Sequence, residues 1–391
     1  MTHPWSRTAR QPRRRRTPGA TSRHVGPLLA LLLGVALVGC RGDTPVTTVR
    51  FNAFGTQVDL SLVGVSTAQA QQAAADIQHD FEFIDRAWHA WGPGPLERVN
   101  ELLPAGEPFV APPSIVPLVR LSQRYAEQSG GLFNPAMGRL MALWGFHTDS
   151  PECQPPPSQR SITRLVTANP RISDIRIQGL EMQGTNPDLQ LDFGAIVKGY
   201  AVDLAMEVLR DLGVRDALVQ VGGSLRAIGD RSGQPWRVPI RRAGGSGVLA
   251  LLQARGDESV ATAAAYDRNF IYGGVTYHNI LDPRTGWPAQ DTLAVTVAHR
   301  DATTADAAAT ALFIAGPEQW HTVAQAMGVR FVLIIDSHGT LHMSPEMQSR
   351  LEVMDANAEI RVGPPVILPM DGEDSVAGPD AEGAGGPEGN R

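Results

Sequence analysis

Among its 34 basic residues the chain has a single lysine, Lys198, in the segment Leu191-Asp-Phe-Gly-Ala-Ile-Val-Lys-Gly-Tyr200. An ammonium is a compact point charge that can approach a phosphate or enter a small cavity end-on, where the planar guanidinium fork cannot. Asp306 and Thr310 stand at i and i+4, which places a carboxylate and a hydroxyl on one face of a helix. Such a corner of hard oxygens suits Mg²⁺, which is commonly held by one or two protein groups together with phosphate oxygens. Between them lies Tyr277-His-Asn-Ile-Leu-Asp-Pro-Arg-Thr-Gly-Trp287, turn chemistry with the Asp282 carboxylate at its head. Gly222-Gly223 lets backbone come close to a ligand. Metal corner, ammonium and glycine turns together point to a phosphoanhydride substrate. Each feature also has a plainer explanation. Lys198 can be a solvated helix residue, Asp306 a complement to the helix dipole, Asp192 a cap, and the glycine and Asp-Pro segments simple turns. No P-loop, Gly-x-Ser-x-Gly or His-Glu-x-x-His is present, and His79, His89, His147 and His278 lack zinc spacing.

The elements that must carry these residues follow from periodicity and punctuation. Val49 and Phe51, then Val58, Leu60 and Leu62, alternate with polar positions around Gly55, as in a hairpin or bulged strand. Ala68 to Trp88 is helical in composition. Ser114 to Gln128 is a second helix, with Ser114 as its cap and Gly130-Gly131 as its stop. Ala195 to Leu212 forms an amphipathic helix ended by Gly213, followed by a strand over Ala217 to Val221. Thr303 or Thr304 caps a helix that ends at Gly316-Pro317; another runs to Met327, and Val329 to Ile335 is a buried strand. Cys153 to Pro157 is a proline-rich surface loop. Helices and strands mix without regular βαβ alternation, so the fold class is α+β. No internal repeat is present.

The two ends differ from this middle. Seven arginines and no acid precede Cys40, and Val25 to Val38 is a short apolar run ending in Leu37-Val38-Gly39-Cys40. This is the layout of a signal peptide over residues 1–39, and its close resembles a lipobox in which Cys40 takes the lipid; an ordinary signal peptide with a fortuitous cysteine is the alternative. Residues 40–48 read as a tether, 49–360 as the folded domain and 361–391 as a disordered Gly, Pro and acidic tail. Loss of residues 1–39 leaves 27 basic against 40 acidic residues, a net charge of −13 compared with −6 for the whole chain. An acidic tethered protein is a poor nucleic-acid binder. With Cys40 lipidated, Cys153 has no partner, so the fold stands on its core rather than on disulfides.

Taken in order, seven segments resemble the FAD:protein FMN transferases of the ApbE type. They are Phe54-Gly-Thr56; Trp91 to Asn100; Gly131-Leu-Phe-Asn-Pro-Ala-Met-Gly138 with Leu143-Trp-Gly-Phe146; Leu191 to Asp203; Val221-Gly-Gly-Ser-Leu-Arg226; Ile280-Leu-Asp-Pro-Arg-Thr-Gly286; and Ala305-Asp-Ala-Ala-Ala-Thr-Ala-Leu312. The resemblance covers roughly residues 49 to 345. It implies an α+β flavin-transferase fold around one cleft, and Mg²⁺-dependent transfer of FMN from FAD to a Thr or Ser hydroxyl of an acceptor protein, with release of AMP. Carried over by residue, it implies Asp306, Thr310 and Ala195 at the metal. FAD would be held by Phe54, Trp91, Ala136, Met137, Gly138, Asp192, Lys198 and Ile280. Asp306, Lys198 and His278 are then the catalytic candidates. The implied acceptors are subunits of membrane electron-transfer complexes, and the implied location is a bacterial membrane surface facing the periplasm or exterior.

The chain also departs from the pattern. Ala195 has only its carbonyl to offer a metal. The family's His-Ile-Ile-Asp-Pro reads Asn279-Ile-Leu-Asp-Pro, with a histidine one position earlier at 278, and a one-residue shift along an extended segment turns a side chain to the opposite face. The family's Thr-Ser-Gly-Asp-Tyr reads Thr262-Ala-Ala-Ala-Tyr266. Two other activities therefore stand beside transfer: hydrolysis of FAD to FMN and AMP, and flavin binding without turnover.

Overall fold

The structure is a computed structural model that describes residues 44–148, 150–244 and 247–368. The expected signal peptide, the expected lipidation site at Cys40 and most of the expected acidic tail lie outside the described residues.

In chain order the strands are β1 (Val46–Ala53), β2 (Thr56–Val63), β3 (Phe109–Val110), β4 (Ile175–Gln178), β5 (Glu181–Gly184), β6 (Ala217–Val221), β7 (Ser224–Ile228), β8 (Trp236–Arg241) and β9 (Val248–Ala254). They continue as β10 (Glu258–Ala264), β11 (Asn269–Tyr272), β12 (Val275–His278), β13 (Thr292–His299), β14 (Phe331–Asp336), β15 (Leu341–Met343), β16 (Leu351–Val353) and β17 (Ile360–Val362). The longer helices are α1 (Thr67–Trp88), α2 (Val116–Gln128), α3 (Val197–Asp211) and α4 (Ala302–Ala326). Nine strands form the main sheet in the order β1-β2-β6-β7-β10-β13-β14-β15-β17, antiparallel except where β15 meets β17.

Alternation along the central strands assigns the two faces of that sheet. Ala261, Val295, Val297, Val332 and Ile334 point to a core shared with α1, α3 and α4. Their neighbours Val260, Ala264, Ala294, Ala298, Leu333 and Ile335 point to a second core, closed by the three-stranded sheet β16-β9-β8. A period of two on a sheet buried on both faces turns each strand into a partition between two cores. The architecture is α+β, with mixed helices and strands and no βαβ units in the main sheet.

Several boundaries differ from the sequence expectation, each for a local reason. Ser114 does not cap α2; Ile115 occupies the N-cap, and the Ser114 carbonyl instead accepts the Trp88 indole N–H at 3.1 Å. Neither Thr303 nor Thr304 caps α4. Asp301 does, accepting the Thr304 N–H at 2.6 Å, because a carboxylate is the stronger acceptor for an exposed amide. Helix α3 starts at Val197 rather than Ala195, after an Asx turn in which Asp192 accepts the Gly194 N–H at 2.8 Å. The two helices expected around Gly316-Pro317 abut as one element broken at Gly316, whose φ of 71° no helix holds. The fold also reaches beyond both expected limits. Strand β1 begins within the expected tether, and the expected tail starts inside β17; Val366 beyond it is buried.

Candidate functional site

Helices α3 and α4 approach the sheet with their N-termini crossed, and each supplies a carboxylate that caps the other. Asp306 of α4 accepts the Gly199 N–H of α3 at 2.9 Å through one oxygen and the Ser224 hydroxyl at 3.1 Å through the other. Asp203 of α3 accepts four hydrogen bonds: Ala302 N–H at 3.0 Å, Thr303 N–H at 2.8 Å, the Thr303 hydroxyl at 2.6 Å and Arg226 at 2.5 Å. The amides of a first helical turn have no intrahelical partner, and each aspartate satisfies those of its neighbour. Glycine at 199 is required by the close approach, since a Cβ there would stand 2.8 Å from the Asp306 Cβ. Arg226 is anchored a second time by Asp257 at 2.9 Å, which ties this corner to the strand system.

The reciprocal capping fixes where Asp306 sits relative to Lys198. Burial pushes the Asp306 carboxyl above its ordinary value, while the Lys198 charge, the Gly199 amide and the Ser224 hydroxyl pull the other way. Asp203 is likewise raised, by burial and by the nearby Asp301 charge, against its hydrogen bonds. Asp203→Ala is expected to lower stability by about 2–3 kcal/mol, because it leaves two α4 amides without their acceptor and the buried Arg226 with Asp257 alone. It should also lower turnover with FAD still bound; thermal unfolding and steady-state kinetics on the same preparation check both.

Asp306 and Lys198 border one cavity of about 1050 Å³. Its wall also takes in Phe54, Trp91, Met137, Gly138, Asp192, Ala195, Ile280 and Thr310, so ten of the twelve candidate site residues read from the folded sequence converge there. The N-terminal turn of α3 opens on it through Val197 and Lys198. A positive helix end and an ammonium on one wall suit phosphate oxygens. Trp91 stands edge-on to His147 at 5.9 Å, and both rings line the cavity.

Two candidates lie off the cavity lining. Ala136 is fully buried in the helical core, where its carbonyl accepts the Gln190 N–H at 3.3 Å, so it supports the cavity wall without forming it. His278 also stays off the cavity. Its Nε2 lies 3.0 Å from the Ala289 carbonyl and must carry the proton, while Nδ1 accepts the Ile280 N–H at 3.3 Å. Burial lowers its pKa to about 4, opposed only by the Ala289 contact. A neutral histidine with both nitrogens engaged takes no proton from a substrate. Asn279, one position on, does line the cavity.

Sequence reading gave no role to Asp203, Arg226 or Ser224, although all three lie in segments singled out above. Nor did it mark Arg268, which borders the cavity and holds the carbonyls of Phe146 at 2.7 Å and Thr148 at 2.5 Å. The Asp282 turn is structural. Arg284 closes over the Asp282 carboxylate at 2.8 Å and reaches the Ile314 carbonyl near the break in α4.

Comparison with known proteins agrees with this geometry. The ApbE family model matches residues 54–333. A Rhodobacter capsulatus FAD:protein FMN transferase is 38% identical, over 88% of this chain and 66% of its own length. The Vibrio cholerae FAD:protein FMN transferase is 28% identical, over 79% of this chain and 93% of its own. Among solved structures, the ApbE protein of Thermotoga maritima superposes with a TM-score of 0.71 at 26% identity, over 78% of this chain and 99% of that one. A family match across most of the described fold, with the same ordered segments meeting in one cavity, places this chain in the ApbE family.

Proposed function

We propose that this chain moves FMN from FAD to a threonine or serine hydroxyl of an acceptor protein and releases AMP. The observation that carries this reading is the convergence of Lys198, Asp306 and Thr310 with the FAD-matching residues on one cavity. The acceptor oxygen attacks the phosphorus on the flavin side of the pyrophosphate. An O–P bond forms, the P–O bond to AMP breaks, and the AMP oxygen keeps the electron pair. Phosphoryl transfer runs through a loose transition state, so catalysis rests on positioning and charge more than on early proton removal. With His278 buried and Asn279 unable to accept a proton, neither takes the hydroxyl proton, which leaves late in such a transition state. Lys198 and the α3 N-terminus supply positive charge to the phosphate oxygens.

The donor set fits Mg²⁺. A carboxylate offers about four lone-pair positions, and Asp306 spends two of them on Gly199 and Ser224. The Thr310 hydroxyl and the Ala195 carbonyl would complete a hard-oxygen set with Asp306, with further positions open to phosphate and water. No cluster of three or more His, Cys, Asp or Glu suited to a metal occurs among the described residues, consistent with a site completed by its substrate. When bound, Mg²⁺ would neutralise charge gathering on the pyrophosphate.

The reading extends to an exported protein, lipid-anchored through Cys40 and facing the periplasm or exterior, with a membrane electron-transfer subunit as acceptor. The basic n-region, the apolar run and Gly39-Cys40 support the anchor. Intact-mass spectrometry of an acceptor domain incubated with FAD, Mg²⁺ and the protein tests the chemistry. A gain of one FMN with equimolar AMP is expected. AMP and free FMN without a mass gain would instead establish a hydrolase, and FAD bound without turnover a binding protein.

A further inference from the structure

Beyond the flavin-matching residues, the cavity lining takes in a second group of residues, termed its second arm. Four of them are consecutive on β8: Val238, Pro239, Ile240 and Arg241. Leu225, Val260, Thr262, Ala264 and Tyr266 belong to the same lining. Along β8 the side chains alternate strictly, with Val238 and Ile240 buried and Pro239 and Arg241 exposed. Neighbours that point to opposite faces can line one cavity only if it runs along the edge of the strand. Strand β8 is indeed an outer strand of its three-stranded sheet, paired on one side with β9 alone. Pro239, opposite Leu251, has no N–H to give to a ladder, a residue type that sheets confine to edge strands.

Resting on the transferase reading, we propose that this arm receives the hydroxyl-bearing segment of the acceptor protein, in extended form, as an added strand on the free edge of β8. The reaction has two substrates that must meet at one phosphorus, and the arm is continuous with the wall that carries Asp306 and Lys198. An exposed strand edge recognises an extended peptide through main-chain hydrogen bonds, leaving alternate side chains to be selected by pockets. Arg241 supplies the polar end of the arm, paired with Asp267 at 2.5 Å and lying over the Tyr266 ring at 5.3 Å. Pro239 interrupts the donor row, so a short segment can pair around it while a long sheet cannot propagate.

The test uses the full chain in detergent with FAD, Mg²⁺ and a recombinant acceptor domain carrying one flavinylatable hydroxyl. Pro239→Trp fills the arm from an exposed position, and Phe83→Trp, exposed and outside the cavity, is its control. Pro239→Trp should raise the acceptor KM about tenfold or more, while FAD affinity and the acceptor KM of Phe83→Trp stay within about twofold of wild type. An unchanged acceptor KM overturns the inference, as does a parallel loss of FAD affinity, which would give the arm to the dinucleotide. A photo-crosslinking residue at 239 should capture the acceptor domain, and one at Phe83, exposed and outside the cavity, should not; equal capture at both would also overturn it. A wild-type protein that binds FAD and moves no FMN sinks the transferase reading itself, and this inference with it. That outcome is distinct from active transfer insensitive to position 239.

Discussion

Asp306→Asn should lower single-turnover FMN transfer about a thousandfold or more, at saturating FAD and Mg²⁺. The substitution keeps the size of the side chain; its remaining oxygen can accept the Gly199 N–H and its NH2 can donate to the Ser224 hydroxyl, so both contacts can survive. It removes the carboxylate from the proposed metal donors and the negative charge that faces Lys198. Flavin affinity should fall much less, because the remaining cavity wall is untouched. A readout independent of activity accompanies this. Mg²⁺ should raise the unfolding temperature of the wild type with FAD present, and that rise should vanish in Asp306→Asn. The metal-free variant should be no less stable than wild type, since burial already disfavours the charge that is removed. Turnover within tenfold of wild type, or an intact Mg²⁺-dependent stabilisation, would sink the assignment of Asp306.

The second large effect concerns His278 and stability rather than catalysis. Its folded pKa of about 4 lies below the ordinary value near 6.5, so the fold favours the neutral ring. The stability associated with that ring is intact above pH 6.5 and is lost as pH falls from there through 4. The shift corresponds to about 3 kcal/mol. Chemical denaturation between pH 7.5 and 4 should show this loss on top of the general acid response. His278→Gln can donate to Ala289 and accept from Ile280, so it should remove that part of the pH dependence and leave transfer at pH 8 within about threefold of wild type. A hundredfold loss of transfer in a folded, FAD-binding His278→Gln protein would return His278 to the chemistry.

The contrast between His278 and Asn279 shows what local sequence can reach. Alternation in an extended segment says that the two side chains face opposite ways. It does not say which way the cavity lies. That is decided by the packing of β12 and the following turn: His278 stands edge-on to Phe313 at 5.3 Å and bonds to the Ala289 carbonyl, leaving Asn279 to the cavity.

Other features were legible because their causes lie within a few residues. The hairpin of β1 and β2, the length of α1 and the stop of α3 at Gly213 follow from side-chain period and backbone sterics. The shared helical face of Asp306 and Thr310 follows from the 3.6-residue turn, and the isolation of Lys198 from a residue count. Resemblance added the order of the segments and, with it, the family and most of the cavity wall.

Tertiary structure alone decided the rest. The Asp306 bond to Gly199 joins residues 107 apart, and the Asp203 bond to Ala302 joins residues 99 apart. Both exist because two helices packed on one sheet face bring the first turn of each beside the second turn of the other, where a carboxylate satisfies first-turn amides. No spacing rule encodes a cap supplied by another helix. The open edge of β8 is equally a property of the assembled sheets, since a strand is an edge only once its neighbours are known.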